Sequence, residues 1–258
     1  MKLWPHPRGQ KGRRGRQLNQ SAEYTGFLVV DKPTGITSHD VVDRVREVLG
    51  IRKVGHLGTL DPLGTGVLVL AIGRATKSVK YFVDDDKDYR AVILLGKITD
   101  SQDTDGKVLE TRDCSGIKRE DLEDSLNGFR GVIQQIPPMV SAKKVNGKRL
   151  YKLHREGVEV HREPKEINVY DIKLEDFSTP NATIFLSCSK GTYVRTICAD
   201  IGEKLGCGGC MSSLVRLRSG CFTLDDAQRL DEIEEMGRDR AAALILPIHD
   251  VYQKRGLQ

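Results

Sequence analysis

Residues 55–68 read GHLGTLDPLGTGVL, and four glycines and one proline fall within the first twelve of them. Glycine adopts backbone angles that other residues avoid and proline fixes its own, so this part predicts a loop of unusual shape. The apolar run at 67–72 that follows predicts a buried strand. The loop presents one imidazole, from His56, and one carboxylate, from Asp61. Because an aspartate before a proline often only caps a nearby amide, the spacing alone leaves a structural role for Asp61 open.

Segments with helical and with strand periodicity alternate loosely on both sides of this loop. A capping position at Ser38, followed by valines at helical spacing, predicts a helix that ends at Gly50. The prolines at 137 and 138 are expected to end the helix around 122–129. Neighbouring strands read as hairpins, so an α+β fold with a mixed sheet is predicted rather than a regular βαβ array. The predicted strands lie at 27–31, 67–72, 89–96, 167–174 and 183–187, and the other predicted helices at 76–83, 194–205 and 225–243.

Charge is distributed unevenly along the 258 residues, whose net charge is +5. Residues 1–20 contain six basic and no acidic side chains, so the rest of the chain has a net charge of −1. That basic segment is nearly free of apolar side chains, and we predict a disordered tail that either contacts a polyanion or is merely solvated. Residues 137–165 carry eight basic and three acidic side chains, which predicts a projecting element that contacts a phosphate backbone.

Several function classes are disfavoured by what the sequence lacks. The longest apolar runs are far shorter than the roughly 20 residues of a membrane span, and no apolar segment follows the basic N-terminus, so we expect neither a membrane protein nor a secretory leader. The phosphate-loop pattern and the GxSxG elbow are absent. Cys207 and Cys210 form a CxxC pair, but further ligands at a zinc-knuckle spacing are missing. We therefore expect no metal site and six reduced cysteines, as in the cytoplasm.

The loop at 55–68 closely resembles the signature loop of the TruB-type pseudouridine synthases, and it does not stand alone. Residues 31–40 resemble the opening motif of that family, 87–90 its tyrosine motif, 137–150 its RNA-gripping insertion, and 188–218 its third active-site segment. These five motifs occur in the family's order and together cover about residues 26–222, which makes chance agreement negligible. The resemblance implies a mixed, largely antiparallel central sheet flanked by helices, with a basic RNA-binding insertion.

The resemblance also implies catalytic roles for three residues. Asp61 matches the family's catalytic aspartate, Arg195 the arginine that pairs with it, and Tyr89 the tyrosine that packs on the target base. An ionised carboxylate is expected at Asp61, where the opposite charge of Arg195 works against the desolvation that raises the pKa of a sheltered carboxyl. Whether Asp61 attacks the base, attacks C1′ or abstracts a proton stays open.

Further residues match positions that the family uses to bind substrate. Tyr193 and Leu214 match side chains that line the uracil pocket, and His56 matches the histidine that occupies the space left by the displaced nucleotide. Lys32 matches a lysine near the floor of the site, and we expect it among the substrate-binding residues, although a structural role is open to it. Contacts with the RNA backbone are expected from basic side chains of the insertion, namely Lys143, Lys144, Lys148, Arg149 and Lys152.

The function that the resemblance implies is the isomerisation of uridine to pseudouridine at position 55, in the T-loop of tRNA. This reaction needs no cofactor and no metal, and we expect a cytoplasmic monomer that binds the tRNA T-arm and requires neither a membrane nor a protein partner. In this interpretation residues 1–20 form the basic tail, 21–250 the catalytic domain with its insertion at about 137–165, and 251–258 a C-terminal tail.

Two other functions remain open, and the sequence departs from the family pattern in places. The alternatives are a guide-RNA-dependent synthase and an RNA-binding folding chaperone with little catalysis. Gly64 replaces an alanine that is common in the family loop, and Lys143 stands where an apolar residue is usual. Many relatives carry a C-terminal PUA-type RNA-binding domain, for which this sequence shows no counterpart before Gln258.

Overall fold

The computed structural model describes residues 24–256 apart from 142, 143 and 146, so the predicted tail at 1–20 lies outside the described residues. Its strands are β1 Gly26–Lys32, β2 Val54–His56, β3 Gly64–Ile72, β4 Lys87–Leu95, β5 Lys97–Thr99, β6 Val108–Thr111, β7 Gly131–Gln135, β8 Lys144–Val145, β9 Lys148–Arg149, β10 Lys165–Ser178, β11 Asn181–Cys188, β12 Gly209–Ser219, β13 Phe222–Thr223 and β14 Gln228–Arg229. Its helices are α1 Ser38–Leu49, α2 Val79–Phe82, α3 Arg119–Asn127, α4 Leu150–Arg155, α5 Val194–Lys204, α6 Leu230–Met236, α7 Arg238–Ala243 and α8 Ile248–Arg255, with 3₁₀ helices at Gly73–Ser78 and Leu224–Asp226.

One mixed sheet organises the chain, in the order β14-β1-β3-β12-β4-β11-β10-β7, with β2 paired to β3 and β13 to β12. Only two of its pairings, β1 with β14 and β3 with β12, are parallel. The others are antiparallel, which confirms the predicted α+β class and the largely antiparallel sheet. The parallel pairing of β3 with β12 sets Gly64 beside Leu214 and Gly66 beside Arg216, so the last part of the signature loop lies next to a strand far along the chain.

Helices cover the sheet because its strands are apolar on both faces. Along β1, Leu28 and Val30 face a cluster completed by α1, α6 and α7, whereas Phe27 and Val29 face a cluster completed by α2 and α8. A third cluster lies between α3, α5 and strands β4, β10 and β11. Burying a large apolar side chain contributes about 1.5–3 kcal/mol, so these three clusters supply most of the drive to fold.

The first helix begins one residue earlier than its sequence suggests. Thr37, not Ser38, is the N-cap: its hydroxyl accepts from the amide of Asp40 at 3.1 Å, and the Asp40 carboxylate accepts from the Thr37 amide at 2.7 Å. This capping box satisfies two amides that would otherwise lack partners, and it leaves the Ser38 hydroxyl free for another contact. Gly50 ends the helix in the left-handed conformation, as predicted.

Three further expectations need correction. The helix at 122–129 does not run to the prolines, because it ends at Gly128 and edge strand β7 follows it. The segment 225–243 is not one helix but a 3₁₀ turn, a short strand and two helices separated by Gly237, whose φ is +76°. Residues 251–255, expected in a tail, belong to α8, where Val251 is buried against the sheet.

The basic insertion forms a small unit of its own. A hairpin of two short strands, β8 and β9, leads into α4. Among the described residues of the insertion, Met139, Leu150 and Leu153 form the only apolar cluster. None of the described helices is both long enough and apolar enough to cross a membrane.

Gly66 provides a test of the β3–β12 register. Its φ is +92°, and a Cβ placed on it would collide with the carbonyl oxygen of Arg216. Gly66→Ala is therefore expected to lower the free energy of unfolding by about 2–4 kcal/mol, measured by urea denaturation. Gly55, in the same stretch, has an ordinary φ and open space around its Cβ position, so Gly55→Ala should change stability by less than about 1 kcal/mol. Equal effects of the two substitutions would contradict the register.

Candidate active site

The loop between β2 and β3 carries Asp61 and is fixed through its backbone. The hydroxyl of Ser38 accepts from the amide of Leu60 at 2.8 Å and donates to the carbonyl of Leu60 at 2.9 Å. The amide of Gly64 donates to the carbonyl of Asp61 at 3.0 Å, which closes a tight turn. Ser38, expected as a helix cap, instead holds the residue that precedes the carboxylate.

Lys32 lies beneath this loop and is completely buried. Its ammonium group donates to the carbonyls of Gly64 at 2.6 Å, Pro33 at 3.0 Å and Pro62 at 3.2 Å. Burial lowers the pKa of Lys32 to about 8, with Asp61 acting in the opposite direction. The side chain therefore holds the loop from below and has no surface open to a substrate.

Arg216 on β12 holds the other side of the loop and is equally buried. Its guanidinium donates to the carbonyls of Val67 at 2.6 Å, Gly58 at 3.1 Å and Thr59 at 3.2 Å. These bonds tie the segment before Asp61 to the strand after it. The position of the loop is thus set by two buried cations and six carbonyl oxygens.

Arg195 on α5 lies between two carboxylates. One nitrogen of its guanidinium, Nη1, is 3.3 Å from Oδ2 of Asp61 and 3.4 Å from Oδ2 of Asp103. The other, Nη2, donates to the carbonyl of Val140 at the base of the insertion. Asp103 is itself held by the hydroxyl of Ser101 at 2.5 Å. The side chains of Arg195 and Asp103 are 4% and 6% exposed, whereas that of Asp61 is 36% exposed, so Asp61 is the member of the group that meets solvent.

These groups open onto a cavity of about 270 Å³. Asp61 and Arg195 lie in its wall with Tyr89, Tyr193 and Leu214. The wall also includes two buried cations, Lys87 of β4 and Arg216 of β12, and residues of the loop that precedes α5. Its remaining residues are Gly58, Thr59, Val83, Ser141, Gly191, Thr192, Val194 and Met211. The result is a sheltered, largely aromatic and aliphatic space with one accessible carboxylate.

Tyr193 is fixed in this wall by a buried amide. The side chain of Gln135, at the end of β7, accepts from the amide of Tyr193 at 2.8 Å and donates to its carbonyl at 3.0 Å. The guanidinium of Arg195 lies 5.9 Å from the centre of the Tyr193 ring. This two-point contact fixes the start of α5, and therefore both the aromatic ring and the arginine beside it.

Comparison with known families accounts for nearly the whole described chain. Residues 46–194 match the family described as TruB family pseudouridylate synthase (N terminal domain), and residues 195–251 match the tRNA pseudouridylate synthase B C-terminal domain. The chain belongs to the TruB family of pseudouridylate synthases. Membership means that the carboxylate, the arginine and the aromatic wall form the candidate site of an isomerase.

Individual relatives agree with this assignment. The chain is 48% identical to the tRNA pseudouridine synthase B of Syntrophotalea carbinolica over 229 residues, which cover 89% of this chain and 75% of that protein. It is 48% identical over 225 residues to the tRNA pseudouridine synthase B of Geobacter sulfurreducens, covering 86% of this chain and 74% of that protein.

Solved structures show the same fold. The chain is similar to one chain of a Cbf5–Nop10–Gar1 complex, with a TM-score of 0.70 and 26% identity over 89% of its own length. An archaeal box H/ACA sRNP Nop10–Cbf5 complex gives a TM-score of 0.60 at 24% identity over 89% of this chain, which bears on the fold alone. The TruB-family chain spans 62% and 58% of the matched chains in these structures.

The structure brings together five of the residues singled out from the sequence. Asp61, Tyr89, Tyr193, Arg195 and Leu214 all line the cavity, although they come from two loops, two strands and one helix. Their roles in catalysis and binding stay predictions.

Two other predicted substrate-binding residues do not line the cavity. Lys32 lies under the loop, as described, and the structure gives it an anchoring contact in place of a substrate contact. His56 ends β2 and is half-buried, with a buried Nδ1 that has no partner among the described residues. Burial lowers the pKa of His56, helped by the charge of Arg216, so the imidazole is neutral.

The basic residues predicted to grip RNA are only partly described. Lys143 lies outside the described residues, and Lys144 and Arg149 are described through their backbone in β8 and β9. Lys148 is exposed and 3.7 Å from Glu156, and Lys152 is exposed on α4. Their contacts with RNA stay predictions.

Sequence reasoning missed Asp103, Gln135 and Arg216. Asp103 sits in the polar run TDSQDTDG at 99–106, which reads as an ordinary turn, and Gln135 sits in an edge strand that was not predicted. Arg216 carried a signal, because it interrupts the apolar run around Leu214 in a segment matched to the family. A charge that must be buried within a strand indicates a polar partner nearby.

Burial in the cavity raises the pKa of two of its side chains, Asp61 and Tyr89. Burial raises the pKa of Asp61 above its ordinary value, and the negative charge of Asp103 acts in the same direction, while Arg195 and Lys32 oppose both. Arg195 thus offsets the effect of burial on the pKa of Asp61 only in part, and the expected ionised form of Asp61 stays a prediction. Burial also raises the pKa of Tyr89 to about 12, so its phenol is neutral at physiological pH.

The titration of Asp61 gives a test with a definite sign. Carboxyl ¹³C chemical shifts should place the Asp61 midpoint above the ordinary value of about 3.9. Asp103→Asn removes a like charge and should move that midpoint down, whereas Arg195→Gln removes the opposite charge and should move it up. Shifts in the same direction for both variants would contradict the arrangement.

Proposed function

We propose that this protein isomerises uridine to pseudouridine in tRNA, at position 55 of the T-loop, with Asp61 as the essential carboxylate. The observation that carries the proposal is the pairing of Asp61 with Arg195 in a sheltered cavity of a TruB-family chain, 48% identical to proteins named tRNA pseudouridine synthase B. The reaction breaks the N1–C1′ bond of uridine, turns the uracil and joins C5 to C1′. Because it is an isomerisation, no atoms or electrons are gained or lost, and we infer that no cofactor is needed.

Each cavity residue has a part in this chemistry that its environment supports. The partly exposed Asp61 carboxylate can approach the sugar or the base, and the raised pKa of Asp61 makes it a better base or nucleophile than an ordinary aspartate. Arg195 holds the carboxylate by charge and keeps it aimed at the cavity. The neutral Tyr89 ring offers a flat face on which an extruded uracil can stack.

The target uridine must leave its stack to enter the cavity. Extrusion costs a few kcal/mol, and contacts with the phosphate backbone outside the cavity can offset it. Two basic surfaces are available for such contacts. One is the insertion, with Lys148 and Lys152 exposed among its described side chains.

The second surface is a basic stripe formed by Arg74, Lys77 and Lys80, which are exposed along the 3₁₀ helix and α2. Side chains three residues apart share one side of such a helix. Within the described part of the chain none of the three forms an ion pair, so their charges are free to meet phosphate. The helix continues directly into Val83 in the cavity wall.

A guide-dependent synthase is the second candidate, favoured by the similarity to a Cbf5 chain whose complex contains Nop10 and Gar1. Higher identity to the tRNA synthases supports action without guide or partner, and we propose a monomer in the cytoplasm. The six cysteines are free thiols, which agrees with a reducing compartment.

The deciding experiment uses the isolated protein and an unmodified tRNA transcript. Chemical mapping should find pseudouridine at position 55, and a transcript with cytidine at that position should yield none. Product only after addition of a guide RNA and partner proteins would favour the second candidate, and RNA refolding without any product would favour a chaperone.

Replacing the carboxylate tests the role of Asp61. Asp61→Asn should lower the single-turnover rate by at least about 10³-fold while RNA affinity changes by less than about threefold. Because the folded-state pKa of Asp61 is raised, ionisation of the carboxyl lowers the stability of the protein above that pKa. Asp61→Asn should therefore melt at a higher temperature than the wild type at pH 7. This difference in melting temperature should vanish as the pH falls and the wild-type carboxyl becomes protonated. The control is Asp105→Asn, which removes a nearby exposed carboxylate outside the cavity wall and should leave the rate within about twofold.

The basic stripe is tested by the salt dependence of binding. Replacing Arg74, Lys77 and Lys80 by glutamine should weaken tRNA binding and flatten the plot of log affinity against log salt by about two to three units of slope. Arg240→Gln is the control, because Arg240 lies on α7, which packs on the opposite face of β1 and β3 from the stripe. An unchanged slope in the triple variant would remove the stripe from the RNA interface.

A further inference from the structure

We propose that Arg255, at the end of α8, is a positioning residue for the cavity, because it fixes the turn that forms one rim of it. The rim turn, residues 83–87, joins α2 to β4, and its two ends, Val83 and Lys87, lie in the cavity wall. The inference rests on the proposed function, since it concerns the space in which the uridine is held.

The rim turn depends on few internal bonds. The amide of Asp85 donates to the carbonyl of Phe82 at 3.1 Å. The ammonium group of Lys87 donates back to the carbonyls of Asp85 and, at 3.4 Å, Val83. Because the same side chain lines the cavity, any movement of the turn displaces both a charge and an apolar wall from the site.

Three consecutive carboxylates connect the rim turn to three different elements. Asp84 pairs with Lys190 at 2.6 Å, and Asp86 accepts from the hydroxyl of Tyr170 at 3.0 Å. These two contacts are exposed and are therefore worth little. Asp85 pairs with Arg255, and its side chain is only 8% exposed. The contact with α8 is thus the sheltered one of the three.

Arg255 holds both the turn and the helix before it. Its guanidinium lies 4.9 Å from the centre of the Phe82 ring while it pairs with Asp85. The neighbouring hydroxyl of Tyr252 lies 2.8 Å from that of Ser78, and Val251 is buried in the same cluster as Phe82. The end of α8 is therefore firmly docked, and it presents the guanidinium to the turn from a fixed position.

Loss of the guanidinium leaves the sheltered carboxylate of Asp85 without the side chain that pairs with it directly. A carboxylate in that position gains by moving toward water, and the rim turn then takes Val83 and Lys87 out of the cavity wall. The uridine would be held less closely against Asp61, whereas the side chains proposed to contact the RNA backbone, on the insertion and the basic stripe, lie outside residues 83–87. The expected signature is a slower chemical step with unchanged RNA affinity.

The experiment compares two neighbouring residues of α8 in the full chain. Arg255→Gln removes the contact with the rim turn, and Lys254→Gln removes an ion pair of the same helix with Asp226, whose two bonds are 2.7 and 2.8 Å long. Hydrogen exchange is followed at the amides of Asp85 and Gly220, the second of which donates to the carbonyl of Asp86 at 2.9 Å. Exchange is measured well below the melting temperature of each variant.

Arg255→Gln should speed exchange at both amides by about tenfold and lower the single-turnover rate at saturating tRNA by about five- to twentyfold, with RNA affinity within about twofold. Arg255→Lys, which keeps the charge, should recover the rate to within about threefold of the wild type. Lys254→Gln should leave exchange and rate within about twofold.

Unchanged exchange in Arg255→Gln, or faster exchange at an unchanged rate, would overturn the proposal. The same would follow if Lys254→Gln reproduced the effect, since a general loss of helix stability would then suffice. If the wild-type protein forms no pseudouridine, the proposed function fails, whereas the exchange comparison still decides whether Arg255 fixes the rim turn.

Discussion

Two buried cations, Lys32 and Arg216, hold the loop on which the whole site depends. An isolated cation away from water is very unfavourable, and each of these two is compensated by three carbonyl oxygens. Five of the six belong to the loop and β3, and the sixth is that of Pro33, directly after β1. The arrangement satisfies the cations and the carbonyls together, because the glycine-rich loop has carbonyl oxygens that find no donor in its own backbone. Removing either cation would leave several sheltered acceptors without donors, each at a cost of about 1–3 kcal/mol. The position of Asp61 is therefore as rigid as the core beneath it.

The way these positive charges are shared also explains why the pKa of the Asp61 carboxyl is raised. Lys32 and Arg216 donate their hydrogen bonds to backbone carbonyls, and neither forms an ion pair with a carboxylate among the described residues. Arg195 presents one nitrogen to both Asp61 and Asp103, at nearly equal distances. A shared counter-charge compensates each carboxylate only partly, and desolvation then prevails at Asp61. A carboxylate that is aimed but not fully neutralised suits chemistry at a sugar or base better than one locked in a closed ion pair.

The sequence was informative where one short segment determines its own structure. The α+β class, the strands at 67–72 and 183–187 and the helix over 194–205 follow from local periodicity, and the family motifs pointed to residues that the fold gathers in one cavity. Prediction failed where a partner far along the chain decides. The sequence around Ser38 is typical of a helix cap, but the Ser38 hydroxyl binds the backbone of Leu60. The sequence around Asp103 is typical of a turn, but Asp103 pairs with Arg195. The last helix was missed because its buried side depends on Phe82 and Phe27, which no local pattern around Val251 reveals.

The site combines a rigid part with a loosely attached one, and the division follows from how each is packed. The loop of Asp61 packs into two large apolar clusters through Leu57 and Leu60, whereas the basic insertion has one small cluster around Leu150 and Leu153. A unit with so little buried surface opens at a small cost in free energy, so it can change its conformation more easily than the sheet can. The insertion nevertheless contacts the candidate site, because the carbonyl of Val140 at its base accepts a hydrogen bond from Arg195. Ser141 of the insertion also lies in the cavity wall, so a rearrangement of the insertion would change both the wall and the position of the arginine beside Asp61.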